Sequence, residues 1–472
     1  KKAMALSLAL AMGLSLVACG DKEKETTTEA TTTEATTTEA AATDDATADD
    51  ASASNAEVAL PMPAEDSDPI YVYSWNTELG DRLQYVKDKY PQYADLIQYE
   101  NLGLGGTSDE YKSAIENAIA NGGDKVPSIV ACDDDVALYF LNSESIVPVE
   151  DLGITADMYS NAYQYTVDYA TIDGKLKGMC WQATPGCFIY RTDIAEEVLG
   201  SSDPAKVQEY VKDWDTYNDT AKKMKDAGYK MTASANDTYR VYSNNVTSKW
   251  VDGNKINIDD NIMKWVDDSK AQVDAGETGT CDLWSDDWSK GFYPQGKVFC
   301  YFGPAWLVNF SMAADTEGSI GYNGGWGAAQ GPQGFFWGGT WICAAQGTDN
   351  ANLVKDIMLK MTTDDDIMKD IVVDDDDFVN NSTVMNGLAD GSIKVKDDKE
   401  YTSKILGGQN PLPMYCAGVE TLDLSNLSSY DQGCNEEFQN AMKNYFEGKA
   451  SKEDALDLFY KAVTEKYPEL TY

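Results

Sequence analysis

The chain contains no histidine, and this absence excludes several kinds of active site. Serine-histidine-aspartate and cysteine-histidine catalysis both need an imidazole, and so does any histidine-ligated metal site. An enzyme built on this sequence would have to use carboxylate, lysine, tyrosine or cysteine chemistry. The composition therefore narrows the catalytic possibilities before any motif is considered.

Basic side chains are scarce relative to acidic ones. Lysine and arginine together number 37, against 79 aspartates and glutamates, so the formal net charge of the 472 residues is −42. Such a surface repels the phosphates of nucleic acids and the headgroups of anionic lipids. We therefore expect no nucleic-acid partner and no membrane binding through charge.

A long apolar run occurs at the start of the sequence. Two lysines precede residues 4–18, which are almost wholly apolar but too few to span a bilayer. The run ends in the sequence LVACG, which looks like a bacterial lipobox with Cys19 as the lipidated cysteine. Residues 1–18 are thus predicted to be a signal peptide, with an ordinary signal peptide and a chance cysteine as the alternative.

Residues 19–65 have almost no large apolar side chains. The pentapeptide TTTEA occurs three times in succession from Thr26 to Ala40, and aspartate, alanine and serine follow. Such a segment cannot bury a core, so it is predicted to be a disordered tether, attached to the membrane through the lipid on Cys19.

From Pro69 onward, strand patterns alternate with helical ones. Ile70 to Tyr73 is predicted to be a strand, and apolar residues at helical spacing follow it. Residues 127–131 are predicted to form a second strand that ends before three aspartates. This alternation predicts an α/β fold with a mostly parallel sheet. Further strands are predicted at 178–182, 187–191, 298–302 and 335–343, and two helices near the C-terminus.

The order of these segments resembles the extracellular solute-binding proteins of bacterial ABC importers, specifically the sugar-binding lipoproteins. The resemblance runs from about Pro69 to the end. It implies a type II periplasmic-binding-protein-like fold of two doubly wound α/β lobes joined by a multi-strand hinge. The similar motifs are the lipobox with its threonine-rich tether, the strand–Trp75–helix opening, the strand ending in Asp133, GMCW at 178–181 with YRTD at 190–193, FGPAW at 302–306, WGGTW at 337–341 and YFEGKASKEDAL at 445–456.

The resemblance also implies where the lobes begin and end. Lobe 1 would comprise residues 66–184 plus 335–378, and lobe 2 residues 187–330 plus 383–472. The hinge candidates are residues 183–186, 328–334 and 378–383. A ligand would lie between the lobes, the hinge would close on it, and a membrane permease would recognise the closed form.

The chemistry of sugar binding predicts which side chains would line such a cleft. Their C–H faces stack on aromatic rings, and their hydroxyl groups hydrogen-bond to carboxylates and other polar groups. The stacking candidates are Trp75, Trp181, Trp306, Trp337 and Trp341. The polar candidates are Asn76, Glu78, Asp133, Asp134 and Arg191.

Each candidate has a structural alternative. Trp337 and Trp341 could be core residues, and Arg191 could form a surface ion pair. The aspartates at 133–135 could bind calcium, but they lack the loop glycine and distal glutamate of an EF-hand. Asp374 to Asp377 is predicted to be a solvated turn. Of the eight cysteines after Cys19, Cys180 and Cys187 are the pair considered for a disulfide that would stiffen the hinge, with reduced buried thiols as the alternative.

The sequence therefore predicts a lipid-anchored receptor on the outer face of the cell membrane. It would capture a carbohydrate, expected to be an oligosaccharide, and deliver it to the permease subunits of an ABC transporter. We expect a monomer that is not an enzyme, needs no cofactor or metal, and touches the membrane only through its lipid anchor. The alternatives are a secreted carboxylate-dependent glycoside hydrolase and a surface adhesin lipoprotein without a transport role.

Overall fold

The computed structural model describes residues 69–123, 125–348 and 350–472. The predicted signal peptide, the lipidation site at Cys19 and the tether lie outside these residues. Within the described part, no helix combines the length and the apolar character needed to cross a membrane. The strands are β1 (Ile70–Ser74), β2 (Ile97–Asn101), β3 (Pro127–Asp133), β4 (Thr171–Ile172), β5 (Lys175–Leu176), β6 (Met179–Cys180), β7 (Cys187–Arg191), β8 (Val251–Asp252), β9 (Lys255–Ile256), β10 (Cys300–Gly303), β11 (Trp326–Ala329) and β12 (Thr340–Ala344).

Helices alternate with several of these strands, as the sequence predicted for an α/β protein. They are α1 (Glu78–Lys89), α2 (Asp109–Asn121), α3 (Asp134–Leu141), α4 (Gln164–Ala170), α5 (Thr192–Leu199), α6 (Pro204–Val211), α7 (Trp214–Asp226), α8 (Tyr239–Ser243), α9 (Asp260–Ala275), α10 (Asp286–Ser289), α11 (Ala351–Thr363), α12 (Asp365–Asp375), α13 (Ser382–Asp390), α14 (Leu412–Val419), α15 (Asp431–Phe446) and α16 (Lys452–Lys466). Ser451 forms the predicted capping box with Asp454 at the start of α16.

The larger sheet has five strands in the order β2-β1-β3-β12-β6. β1 runs parallel to both β2 and β3, whereas β12 is antiparallel to its neighbours β3 and β6. Residues Pro127 to Cys132 of β3 are all buried, because helices cover the sheet on both faces. The carboxyl ends of β1 and β3 therefore lie at one edge of this sheet.

The smaller sheet has three antiparallel strands in the order β10-β7-β11. Its centre, β7, is buried along its whole length. Phe188 on β7 contacts the rings of Phe299, Phe302 and Tyr217. This aromatic core fixes the direction in which β10 leaves the sheet, and β10 leads directly to Trp306.

The chain passes between the two sheets after β6 and again after β11, and the segment that follows α12 lies beside these passages. The amide of Gly186 donates to the carbonyl of Phe335 at 2.7 Å, and that of Trp337 donates to Thr184 at 3.2 Å. Asn380 donates in the same way to the carbonyl of Trp181 at 3.0 Å. These segments overlap the hinge candidates. Their role as a hinge and the limits of the two lobes stay predictions.

Asp377 corrects one prediction, because it does not lie in a solvated turn. Its side chain is only 1% exposed and accepts hydrogen bonds from Arg82 on α1 and from Gln182. The four consecutive aspartates gave no sign that Asp377 is buried and paired, because its partner Arg82 lies 295 residues earlier in the chain.

All eight cysteines in the described residues are free thiols, so the disulfide considered between Cys180 and Cys187 is not formed. The Cys180 thiol donates to the carbonyl of Gln182 at 2.8 Å, while the Cys187 sulfur lies 3.2 Å from the Tyr415 hydroxyl. Burial raises the pKa of Cys187 to about 12 and that of Cys180 further still. Both cysteines therefore behave as small, unreactive core residues.

Candidate ligand-binding site

Polar and aromatic side chains collect at the carboxyl edge of the larger sheet. Trp75 and Asn76 follow β1, Glu78 opens α1, and Asp133 ends β3. β1 and β3 are neighbouring parallel strands, so these residues meet at the edge where ligands bind in open α/β sheets. The charge of Asp133 also helps to raise the pKa of the Glu78 carboxyl group.

Trp75 is half-buried and held by its neighbours. Its ring packs edge-to-face on Tyr111, with centroids 5.8 Å apart. Gly106 lies directly against the same ring, where an added Cβ would approach a ring carbon to 2.8 Å. Asn76 accepts a hydrogen bond from the amide of Glu78 at 2.9 Å and so fixes the first turn of α1. Trp75 therefore presents its remaining surface in a fixed orientation.

Three tryptophans form a second aromatic surface, here called the tryptophan array (Trp284, Trp306 and Trp337). Trp306 and Trp337 have ring centroids 5.3 Å apart, and Trp284 lies 5.6 Å from Trp337. The rings of Trp284 and Trp306 are almost parallel, at 6.3 Å and 21°. The indole of Trp306 donates to the carbonyl of Trp337 at 3.0 Å, which locks these two side chains together.

The end of β10 positions Trp306. β10 ends at Gly303, where an added Cβ would come within 2.2 Å of the Leu307 side chain, so the close approach requires glycine. Residues Leu307–Ser311 then form a π-helical turn, a local geometry frequent at functional sites. The turn begins immediately after Trp306.

Trp284 belongs to the array but was not predicted. Its side chain is 55% exposed, and its backbone has a left-handed φ of 68°, which costs a non-glycine residue about 1–2 kcal/mol. Trp288 packs against it with centroids 5.0 Å apart. The available signal was a tryptophan placed directly before Ser285, the N-cap of α10. An exposed aromatic held in a strained conformation favours a functional role.

Two carboxyl groups at the carboxyl edge of the larger sheet have pKa values raised to near neutral pH. Burial, reinforced by the charge of Asp377, raises the pKa of Glu78 to about 7. Burial and the neighbouring Asp135 raise the pKa of Asp133 to about 7. Gln182 links Glu78 to Asp377 by donating to both, at 3.3 Å and 3.0 Å. Near neutral pH, Glu78 and Asp133 can therefore accept hydrogen bonds and, when protonated, also donate them.

An ion pair that was not predicted borders the array. Both oxygens of Asp135 on α3 accept from the guanidinium of Arg240 on α8, one of them at 2.9 Å. The guanidinium also lies over the Trp337 ring, 5.6 Å from its centroid. Asp135 follows the larger sheet, whereas Arg240 comes from the part of the chain between β7 and β10. The pair therefore links two separate parts of the sequence at the edge of the array.

Three predicted contact residues have other roles in the structure. Trp181 and Trp341 are fully buried, and the indole of Trp341 donates to the carbonyl of Thr166 at 3.2 Å. Arg191 is buried too, pairs with Asp193 and donates to the carbonyl of Gly296 at 3.0 Å. A ligand could not reach these side chains without displacing that packing, so we do not carry them into the proposed site.

Asp134 is 5% exposed and lines a pocket whose lining also includes Asp135 and Arg240. The calcium alternative for residues 133–135 gains no support, because Asp133 caps α3 and Asp135 is paired with Arg240. Among the described residues, no group of three or more acidic or cysteine side chains is arranged to hold a metal ion.

Residues 104–402, more than half of the chain, match a family model described as bacterial extracellular solute-binding protein. No curated protein sequence matches the chain at a significant level. Many solved structures do match, with identities low enough that they establish the fold alone.

Three of these solved structures illustrate the likeness. One, described as extracellular solute-binding protein family 1, has a TM-score of 0.69 at 18% identity and covers 84% of this chain and 99% of its own. The ABC transporter associated binding protein from B. animalis subsp. lactis Bl-04, in complex with beta-1,6-galactobiose, has a TM-score of 0.64 at 20% identity, covering 86% and 99%. The galacto-N-biose-/lacto-N-biose I-binding protein from Bifidobacterium longum, in complex with lacto-N-biose, has a TM-score of 0.64 at 14% identity, covering 85% and 96%.

Proposed function

The chain belongs to the bacterial extracellular solute-binding protein family, and we propose that it captures a carbohydrate for import through an ABC transporter. The observation that carries this proposal is the tryptophan array beside two carboxyl groups that titrate near neutral pH. The family consists of receptors, so we set aside the alternative of a secreted glycoside hydrolase.

The chemistry of the array suits a sugar ring. The C–H face of a pyranose stacks on an indole, and the rigid aromatic surface loses little conformational entropy on binding. Trp284 and Trp306 offer two nearly parallel rings on which adjacent sugar units could stack. Glu78 and Asp133 would then bind hydroxyl groups at the ring edges, where charge-assisted hydrogen bonds are strong.

The solved structures support an oligosaccharide as the ligand class. The B. animalis protein is complexed with beta-1,6-galactobiose and the B. longum protein with lacto-N-biose. Both ligands are disaccharides and belong to those proteins. They support the proposal that a similar fold in this chain accommodates more than one sugar unit.

The proposed setting is the outer face of the cell membrane. Lipidated Cys19 would anchor the monomeric receptor, residues 19–65 would act as its tether, and closure of the hinge segments around the sugar would present a surface to the permease. A surface adhesin would not close. Small-angle scattering with and without sugar separates the two, since closure reduces the radius of gyration and an adhesin shows no change.

A thermal-shift screen of mono- and oligosaccharides tests the proposal directly. A bound sugar stabilises the native state by mass action and raises the melting temperature. We expect Trp306→Ala and Trp284→Ala each to weaken sugar binding by roughly tenfold to a hundredfold, because each removes a stacking surface worth about 1–3 kcal/mol.

Tyr472→Ala is the matched control, since Tyr472 is a similarly exposed aromatic that stacks only on Tyr460 near the C-terminus. It should leave the sugar-induced shift unchanged. The carbohydrate proposal fails if no sugar in a broad panel shifts the melting temperature, or if Tyr472→Ala reduces the shift as much as Trp284→Ala does.

A further inference from the structure

A second compartment, here called the acidic pocket, adjoins the tryptophan array. Its free space is about 30 Å³, which is room for one or two water-sized groups such as the ammonium group of an amine. Asp135 and Arg240 form the boundary between the pocket and Trp337. The lining is mostly polar and includes Asp134, Asp431, Ser243, Asn244, Ser248 and Asn435.

Two carboxyl groups of this pocket form no ion pair among the described residues. Asp134 is 5% exposed, and its Oδ1 atom is buried without a hydrogen-bond partner among the described residues, although the charge of Arg240 acts on it. Asp431 accepts hydrogen bonds from the amide and hydroxyl of Ser428 through one oxygen, and the charge of Lys249 acts on it without forming an ion pair. The guanidinium of Arg240 is already bound by Asp135.

The other acid that lines the pocket is fully satisfied. Asp259 accepts from the amide of Asn261, from Thr247 and from the Ser248 hydroxyl, and these hydrogen bonds hold its pKa below the usual value despite partial burial. Asp134 differs, since burial and the nearby Asp135 raise its pKa well above the ordinary range. Leaving a buried carboxyl oxygen without a partner is costly, so an unpartnered carboxyl group in the lining of a polar pocket indicates a missing donor.

A metal ion does not fit as that donor, because no three acidic or cysteine side chains of the described residues are grouped to coordinate one. A protonated amine carries its charge on a group that donates to two or three separated acceptors. We infer that the acidic pocket is a subsite for a protonated primary amine of the ligand, held between Asp134 and Asp431. Resting on the proposed function, this inference names an amino sugar with a free amine as the ligand class.

The test compares ligands that differ only at one substituent. D-glucosamine, N-acetyl-D-glucosamine and D-glucose share a ring and differ in carrying an ammonium, a neutral amide or a hydroxyl at one carbon, and the galactose series gives the same set. Binding is measured by thermal shift and titration calorimetry with the full chain. We expect the free amine to bind roughly tenfold or more tightly than either neutral analogue in at least one series, as for a charge-assisted hydrogen bond.

Asp134→Asn should reduce that preference for the amine by roughly tenfold. Asp219→Asn is the matched control on the exposed face of α7, and it should keep the full preference. The inference is overturned if the amines bind no better than their neutral analogues, or if Asp134→Asn keeps the preference. A neutral oligosaccharide found in the broad panel would then still support the proposed function, so the two failures are distinguishable.

Discussion

Two acidic clusters near the edge of the larger sheet differ in how their charge is balanced. In the first, the Arg82 cluster (Arg82, Asp375, Asp377, Gln182 and Glu78), the guanidinium lies 2.7 Å from Asp375 and 3.3 Å from Asp377. Gln182 then donates to Glu78 and Asp377. In the second, the acidic pocket, Asp134 and Asp431 form no ion pair within the described part of the chain, although the charges of Arg240 and Lys249 act on them.

The difference separates groups that hold the fold together from groups that are ready for a ligand. A buried carboxylate with a cation and hydrogen bonds is tolerated, and removal of its partner is strongly destabilising. A buried carboxyl group without a partner lowers stability, and such a cost is common where a site must bind something. The clusters should therefore respond to substitution in opposite directions.

The largest expected effect comes from Arg82→Met. It leaves Asp377 buried without its cation, so the free energy of unfolding should fall by about 3–5 kcal/mol. Urea denaturation followed by tryptophan fluorescence measures the change. Lys290→Met is the control, because it breaks an ion pair with Asp287 in which both side chains are exposed, and it should have no measurable effect. If Arg82→Met and Lys290→Met lower the free energy of unfolding equally, the Arg82 cluster does not hold the fold together.

A smaller effect of opposite sign is expected for Asp134→Asn in the absence of ligand. The amide keeps the shape of the side chain and removes the cost of protonating the carboxyl group on folding, because burial raises the pKa of Asp134 well above the ordinary range, so the free energy of unfolding near neutral pH should rise by about 1–2 kcal/mol. Asp377→Asn is the matched comparison and should lower it, since Arg82 then loses one of its two carboxylates. If both substitutions destabilise the protein, the acidic pocket is a structural cluster like the first.

The smallest expected effect concerns pH. Burial raises the pKa of Asp431 to about 7, above its value in the unfolded chain. The native state therefore binds more protons than the unfolded state between about pH 4 and 7, and this group lowers stability progressively as the pH rises through that window. Asp431→Asn should reduce the loss of unfolding free energy in that window by about 1 kcal/mol per pH unit. Denaturation at a series of pH values measures it, and an unchanged slope would contradict the assignment.

Much of the fold followed from local pattern. The strand at Ile70–Ser74, the N-caps at Ser108 and Ser451, and the strand break at Gly303 depend on residues next to each other in the chain. Such features are encoded by alternation, capping side chains and turn residues, so the sequence was enough to place them. The order of motifs also indicated the family.

The site was predicted less completely, because its contacts are long-range. Trp284 joins Trp306 and Trp337 only once β10 and the crossing segments are in place, and its left-handed backbone has no sequence signature. The burial of Asp377 depends on an arginine 295 residues away. Trp181 resembled a site residue because of its motif, yet Arg82 lies over its ring at 5.7 Å in the interior.

The position of β12 constrains the order in which the chain can assemble. This strand lies between β3 and β6 in the larger sheet, yet residues 340–344 are synthesised after the whole smaller sheet. A chain that emerges with its N-terminus first exposes the facing edges of β3 and β6 until β12 arrives, and exposed strand edges promote aggregation. The larger sheet can be completed only after the smaller one has been made, so the larger sheet does not form from one continuous stretch of sequence, whereas the strands of the smaller sheet do.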